Sequence, residues 1–159
     1  MNKMLAALTT TATVLIVSAP IAAHHSLAQF ELTTPIRMTG TVVRFDRVNP
    51  HSLIFIDQAM EDGATQRWAI DGPGASQLLR MGVALDFLKT GEVIEVCGFA
   101  MKEGDASRRS LDKLQARILN GHLLIMQDGT KWLWSDYGQF DRCLKPGESR
   151  QDFMRRSGK

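Results

Sequence analysis

The sequence predicts a mainly β protein, folded as a small OB-like barrel (the oligonucleotide- and oligosaccharide-binding type). We expect about five to seven strands, with one short helix between strands three and four. Several segments alternate apolar and polar residues as half-buried strands do, and turn residues separate them. One segment of helical composition follows the third of these strands, which is the element order of an OB-type barrel. A different small barrel or a sandwich is the structural alternative.

The first predicted strand, Ile36 to Asp46, is long, and its apolar alternation changes phase around Gly40, Val42 and Val43. Such a change at a glycine is typical of a bent or bulged strand, which can serve both halves of a barrel. The next two strands, Ser52 to Asp57 and Gln66 to Asp71, flank turn residues at positions 61–63. We therefore expect these two strands to form a hairpin.

The segment Ala75 to Met81 has helical composition and is closed by Gly82, so it is the predicted helix. The segment Glu92 to Met101 has apolar residues at both alternating positions. This pattern predicts a strand that is buried on both sides.

The last predicted strands are short and are separated by tight turns. Lys113 to Leu119 alternates apolar and polar residues, and Asn120-Gly121 after it is the strongest two-residue hairpin signal in the chain. We therefore expect His122 to Met126 to return as its partner strand. Asp128-Gly129 predicts a second tight turn, followed by a last strand from Thr130 to Trp134.

The N-terminal residues have the pattern of a secretory signal peptide. A basic start at Lys3 precedes the apolar stretch Met4 to Val17, which is short for a membrane span, and small residues end at Ala23. We predict three parts: a signal peptide at 1–23, one barrel domain at 24–134 and a polar C-terminal tail at 135–159. The protein would then be periplasmic or secreted, with no stable membrane span after cleavage. A retained N-terminal anchor is the alternative.

Charge and cysteine content limit the possible functions. The formal net charge is +2, and basic and acidic residues are mixed along the chain, which argues against a nucleic-acid partner. Cys97 and Cys143 are the only cysteines. In an oxidising compartment one disulfide between them is the economical interpretation, and two free thiols are the alternative. The lack of a Cys-x-x-Cys motif argues against redox catalysis.

Histidines give the strongest indication of chemistry. Cleavage after Ala23 would make His24 the first residue, which then offers both its α-amine and its imidazole to a metal. With His25, and with His51 after a rigid Asn-Pro pair, this nitrogen set favours copper. Cleavage one residue earlier would place a histidine third, which also suits copper. The alternative is that these histidines are solvated or cap neighbouring carbonyls, and His122 is a weaker candidate ligand.

Other catalytic motifs are missing from the sequence. No serine lies in a glycine-framed nucleophile elbow, and neither a phosphate-binding glycine loop nor an HExxH motif occurs. Asp46, Asp57 and Asp71 lie at predicted strand ends, where we interpret them as turn residues. An enzyme is therefore less favoured than a binding protein.

Several short motifs resemble one family of small exported bacterial proteins of unknown function. They are His24-His25-Ser26 near the mature start, the Gly-Thr-Val at 40–42, and Asn49-Pro50-His51, within a match over about residues 24–99. Leu27 and Ala28 stand where the family usually has an aromatic residue. The resemblance implies export and a small β-rich fold, and it implies no particular activity.

Together these observations predict an exported β-barrel module that binds a metal ion, with copper as the favoured metal, through His24, His25 and His51. The alternative is a non-enzymatic module of the cell envelope that binds a protein or a small ligand and holds no metal. The two hypotheses differ in whether periplasmic protein contains copper.

Overall fold

The structure is a computed structural model, and it describes residues 27–103, 115–135 and 140–153. The predicted signal peptide and the candidate ligands His24 and His25 lie outside these residues. Six strands and one α-helix form the fold. They are β1 (Ile36–Asp46), β2 (His51–Ala59), β3 (Thr65–Pro73), α1 (Ala75–Arg80), β4 (Val93–Ala100), β5 (Arg117–Ile125) and β6 (Lys131–Leu133).

Five of these strands close into a barrel. The strand order is β3-β2-β1-β4-β5-β6, and a further parallel pairing between β3 and β5 completes the ring. β6 extends the sheet from β5 outside that ring. The predicted OB-like barrel, with a short helix between the third and fourth strands, is therefore confirmed.

The first strand carries a bulge in the region where its sequence predicts a change of phase. Residues 36–41 of β1 pair with β4, and residues 41–46 pair with β2, so one strand serves both halves of the barrel. The register shifts between Val42 and Arg44, which lies within the predicted region around Gly40, Val42 and Val43. Gly40 has a different role: a Cβ there would lie 2.9 Å from Cδ1 of Ile56, so the glycine makes room for the core.

The prediction of a hairpin at Asn120-Gly121 is wrong. Both residues lie inside the continuous strand β5, where Asn120 pairs with β3 on one side and with β4 on the other. Gly121 does not have the positive φ that a tight hairpin turn needs. A Cβ at Gly121 would lie 2.5 Å from Cγ2 of Ile70 and 3.1 Å from Cδ1 of Trp134, so close packing requires the glycine.

The two aspartate-glycine turns are confirmed. Asp62-Gly63 joins β2 to β3, and Asp128-Gly129 joins β5 to β6. The glycines have φ values of 81° and 82°, which favour a residue without a Cβ. In each turn the aspartate carboxylate accepts a hydrogen bond from the backbone two residues on, from Ala64 at 2.9 Å and from Thr130 at 2.8 Å.

Three apolar clusters hold the molecule together. The largest fills the barrel and includes Ile54, Ile70 and Trp134. A second lies on the outer face of the sheet and includes Phe30, Phe55 and other residues of β2 to β5; we call it the outer cluster. Because successive residues of a strand face opposite sides, β2 and β3 contribute to both clusters.

The third cluster attaches the C-terminal segment to the barrel. Cys97 on β4 forms a disulfide with Cys143, the two Cα atoms lying 5.8 Å apart, as the economical interpretation of the two cysteines predicts. Phe140 and Phe153 are buried beside it. The segment predicted as a polar tail thus includes two apolar contacts with the barrel, while the predicted domain boundary at residue 134 stays a prediction. Within the described ranges, no helix is long and apolar enough to cross a membrane.

Candidate functional site

The structure places one of the three predicted metal ligands, His51, at the start of β2. The loop before it is anchored to α1, because the Asn49 side chain accepts a hydrogen bond from the Ser76 backbone at 3.2 Å and donates one to the Ser76 hydroxyl at 3.1 Å. The His51 side chain is 35% exposed. Asn49 therefore positions the chain that carries His51, and the imidazole remains accessible from solvent.

Asp71 on β3 orients the His51 ring. Its carboxylate Oδ1 lies 2.8 Å from Nδ1 of His51, and the Asp71 side chain is only 15% exposed. The hydrogen bond to Asp71 raises the pKa of His51, and burial of the ring acts against that rise. When the ring is neutral, its hydrogen is on Nδ1 and its lone pair is on Nε2.

Asn120 continues this pair on the neighbouring strand. It lies beside Asp71 in the parallel β3–β5 pairing and is 5% exposed, and its carbonyl Oδ1 is buried without a hydrogen-bond partner in the described part of the chain. Paired residues project from the same face of a sheet. His51, Asp71 and Asn120 therefore form a line across three strands, which we call the polar row.

His122 lies two residues beyond Asn120, in a different environment. β5 carries an extra residue here relative to β4, since Cys97 pairs with Leu123 and Gly98 pairs with Gly121. The ring of His122 is fully buried and meets Phe99 edge to face, with 5.3 Å between ring centroids. Neither of its nitrogens makes a hydrogen bond of normal geometry in the described parts of the chain.

Burial keeps His122 neutral. It lowers the pKa of His122 to about 4, and the Ser135 backbone opposes this weakly. A fully buried ring that contacts an apolar side chain is poorly placed to bind a metal from solvent. The weaker candidate ligand of the sequence is therefore better explained as part of the packing.

The described N-terminal residues lie on the face that carries the polar row. Phe30 is bridged to Met101 and belongs to the outer cluster, and Leu27 packs against that cluster. Leu53, two residues from His51 on the same face of β2, packs against it as well. Leu27 and Leu53 therefore pack against the same apolar cluster.

The described residues do not form a metal site by themselves. Among them, no group of three or more histidine, cysteine, aspartate or glutamate side chains is arranged to hold a metal ion. His51 and Asp71 offer one nitrogen ligand and the carboxylate that orients it. A complete site would need the nitrogen atoms of His24 or His25, which lie outside the described residues.

Sequence reasoning missed two members of the polar row. Asp71 was interpreted as a turn residue, yet it lies within β3 and contacts His51. Asn120 was assigned to a hairpin turn. The available signal was the strand pattern itself, because three polar residues at positions that face the same side of adjacent strands meet once the sheet register is known.

Comparison with known proteins is consistent with the resemblance to an uncharacterised family. No curated protein and no solved structure matches the chain. A family does match, over residues 12–110, which is more than half of the chain, although this match does not test the individual histidine motifs. The chain therefore belongs to the family of unknown function DUF6152.

Proposed function

We propose that this protein is an exported β-barrel module that binds a copper ion through His24 and His51, with His25 as a further ligand. The observation that supports the proposal most strongly is the contact between His51 and Asp71. A partly exposed histidine whose Nδ1 is held by a buried carboxylate is the usual arrangement of a metal-ligating histidine and its outer-shell partner.

The position of Leu27 supports the proposal that the N-terminal histidines contribute the remaining ligands. Leu27 packs on the outer cluster, and so does Leu53, two residues after His51 on β2. An extended chain spans about 3.6 Å per residue, so His25 and His24 lie within about 7 and 11 Å of Leu27. In this proposal the two histidines extend from Leu27 across the outer face of the barrel to His51.

The donor atoms determine the preferred metal. A free α-amine and two or three imidazoles form an all-nitrogen set, and such a set binds copper more tightly than the other divalent first-row metals. The amine becomes available only after a leader is cut before His24. Export and metal binding are therefore linked in this proposal, because one cleavage would produce the ligand.

Copper titration of two matched variants tests the proposal. In protein that begins at His24, we expect His51→Ala to weaken copper binding by more than the 10–100-fold typical of losing an outer-shell partner. His122→Leu removes a buried histidine instead and is expected to leave the affinity unchanged. Circular dichroism of both variants shows whether the barrel is folded.

Equal copper affinity in the His51→Ala variant and the unsubstituted protein would remove His51 from the site. A correctly processed protein that takes up no copper would leave the alternative, an envelope module that binds a protein or a small ligand. The two results are distinguishable. In the first, the unsubstituted protein still binds copper; in the second, it binds none.

A further inference from the structure

A pocket lies near the turn between β5 and β6, away from the polar row. Its volume is about 360 Å³, within the range of small-molecule sites. Seven residues line it and none belongs to the polar row: they are Phe87, Glu92, Met126, Gln127, Asp128, Thr130 and Trp132. Nothing in the proposed copper site uses this pocket.

Two aromatic rings form part of its wall at right angles to each other. Phe87 and Trp132 have ring centroids 4.9 Å apart and planes inclined at 83°. Phe87 also stacks on Trp134 of the barrel core, with 5.9 Å between centroids, so its ring packs against two tryptophans of the core. Phe87 and Trp132 give the pocket an aromatic wall, and aromatic rings also form the walls of sites for organic ammonium ions.

Two carboxylates line the same pocket, and both are held in place. Glu92 accepts a hydrogen bond from the Lys89 backbone at 3.1 Å, and Asp128 accepts one from the Thr130 backbone at 2.8 Å. The hydrogen bonds from Thr130 lower the pKa of Asp128, so this carboxylate is charged at neutral pH. Among the residues that the structure describes, no basic side chain lines the pocket.

We infer that this pocket binds an organic ammonium group, with the rings of Phe87 and Trp132 around its carbon substituents and the carboxylates of Glu92 and Asp128 balancing its charge. A neutral ligand of the same shape would leave both carboxylates without a counter-charge. A free inorganic cation would not use the aromatic walls. The combination of apolar walls and negative charge therefore selects a cation that carries apolar carbon.

Choline is a suitable probe, because it is small and carries a permanent charge. Its uncharged isostere, in which carbon replaces the quaternary nitrogen, is the matched ligand. We expect choline to shift the NMR signal of the Trp132 indole and to bind on the order of tenfold more tightly than the isostere. A tripeptide with a central lysine, compared with the same peptide carrying norleucine, tests whether a protein side chain can supply the ammonium group.

The double variant Glu92→Gln and Asp128→Asn should abolish this preference for the charged ligand. Both new side chains still accept the backbone hydrogen bonds, so the turns are retained. Asp62→Asn is the matched control, because Asp62 has the same turn geometry at the opposite hairpin and lies outside the pocket.

Charge-dependent binding of choline or of the lysine peptide, lost in the double variant and kept in Asp62→Asn, would support the inference and identify the source of the group. Failure of both cations to bind, or equal binding of the neutral counterparts, would overturn it. His51→Ala should leave choline binding unchanged, so this result is independent of the copper proposal.

Discussion

His51 and His122 lie on two strands of one barrel, β2 and β5, yet their surroundings give them opposite properties. His51 is 35% exposed and is held by Asp71, which raises the pKa of His51. His122 is fully buried against Phe99, and burial lowers the pKa of His122 to about 4. At pH 5 the first ring is protonated and the second is neutral.

The difference shows that a histidine's partner and its solvent access decide its role. A carboxylate next to a partly exposed ring produces a group that exchanges protons and can bind a metal. A ring enclosed by apolar side chains behaves as a packing residue. Its two nitrogens cost free energy when they are buried without hydrogen-bond partners. Four histidines in a sequence are therefore not four equivalent candidates.

The largest effect that we expect from this difference is acid destabilisation through His122. Because the folded-state pKa is depressed, the unfolded state binds more protons between about pH 4 and 6.5. The stabilising contribution is complete above the unfolded-state pKa and is lost as the pH falls towards 4. The free energy of unfolding should therefore drop by about 3 kcal/mol over this range, in denaturant titrations at several pH values.

His122→Leu should remove most of this pH dependence. Leucine is close to histidine in volume and has no titrating group, so the variant should retain its stability between pH 6.5 and 4.5 better than the unsubstituted protein does. An identical loss of stability in the variant would show that His122 is not the group responsible.

The second effect concerns Asp71, which distinguishes the two histidines. Asp71→Asn removes the carboxylate but keeps a side chain of the same shape. We expect the NMR-titrated pKa of His51 to fall towards its ordinary value and the copper affinity to decrease 10–100-fold. The pKa of His122 should not change. A His51 pKa that is unchanged in the variant would mean that Asp71 does not control this ring.

The smallest effect is the contribution of the His51–Asp71 ion pair to stability. A raised folded-state pKa stabilises the protein below the unfolded-state value of about 6.5, and the contribution disappears as the pH rises through the folded-state pKa. Solvent screening at a partly exposed ring limits the contribution to less than about 1 kcal/mol. Asp71→Asn should therefore lower the free energy of unfolding at pH 6 and have less effect at pH 9.

Asp57→Asn provides the control for that measurement. Asp57 pairs with Arg67 at 2.8 Å, and neither group changes its charge between pH 6 and 9. The Asp57→Asn substitution should therefore change the free energy of unfolding by the same amount at both pH values. A similar pH-independent effect for Asp71→Asn would show that the titration of His51 contributes nothing.

The apolar patterns of the strands predicted the barrel, but they did not predict that Asn120-Gly121 lies within a strand. The apolar alternation of β1, β2 and β3 and the position of α1 were enough to predict the barrel, because each pattern depends on local burial. Asn120-Gly121 does not form the predicted turn. A glycine required by the distant side chains of Ile70 and Trp134 has the same local sequence as a glycine required by a turn. Only the tertiary packing distinguishes the two.

The candidate site was predicted in part for a similar reason. His51 stood out because a rigid Asn-Pro pair precedes it, and His24 and His25 because of a predicted cleavage site. Asp71 is 20 positions from His51 in the chain and meets it only through the β2–β3 register. Carboxylates near strand ends are common, so the sequence pattern could not select this one.

The most direct test of the copper proposal is the intact mass and copper content of protein exported through its own leader and purified without a histidine tag. We predict a chain that begins at His24 and contains equimolar copper. A Gly-Pro-Gly extension before His24, which moves the amine away from both histidines, should release the metal while the barrel stays folded. A chain that begins at His24 and takes up no copper when copper is offered would contradict the proposal.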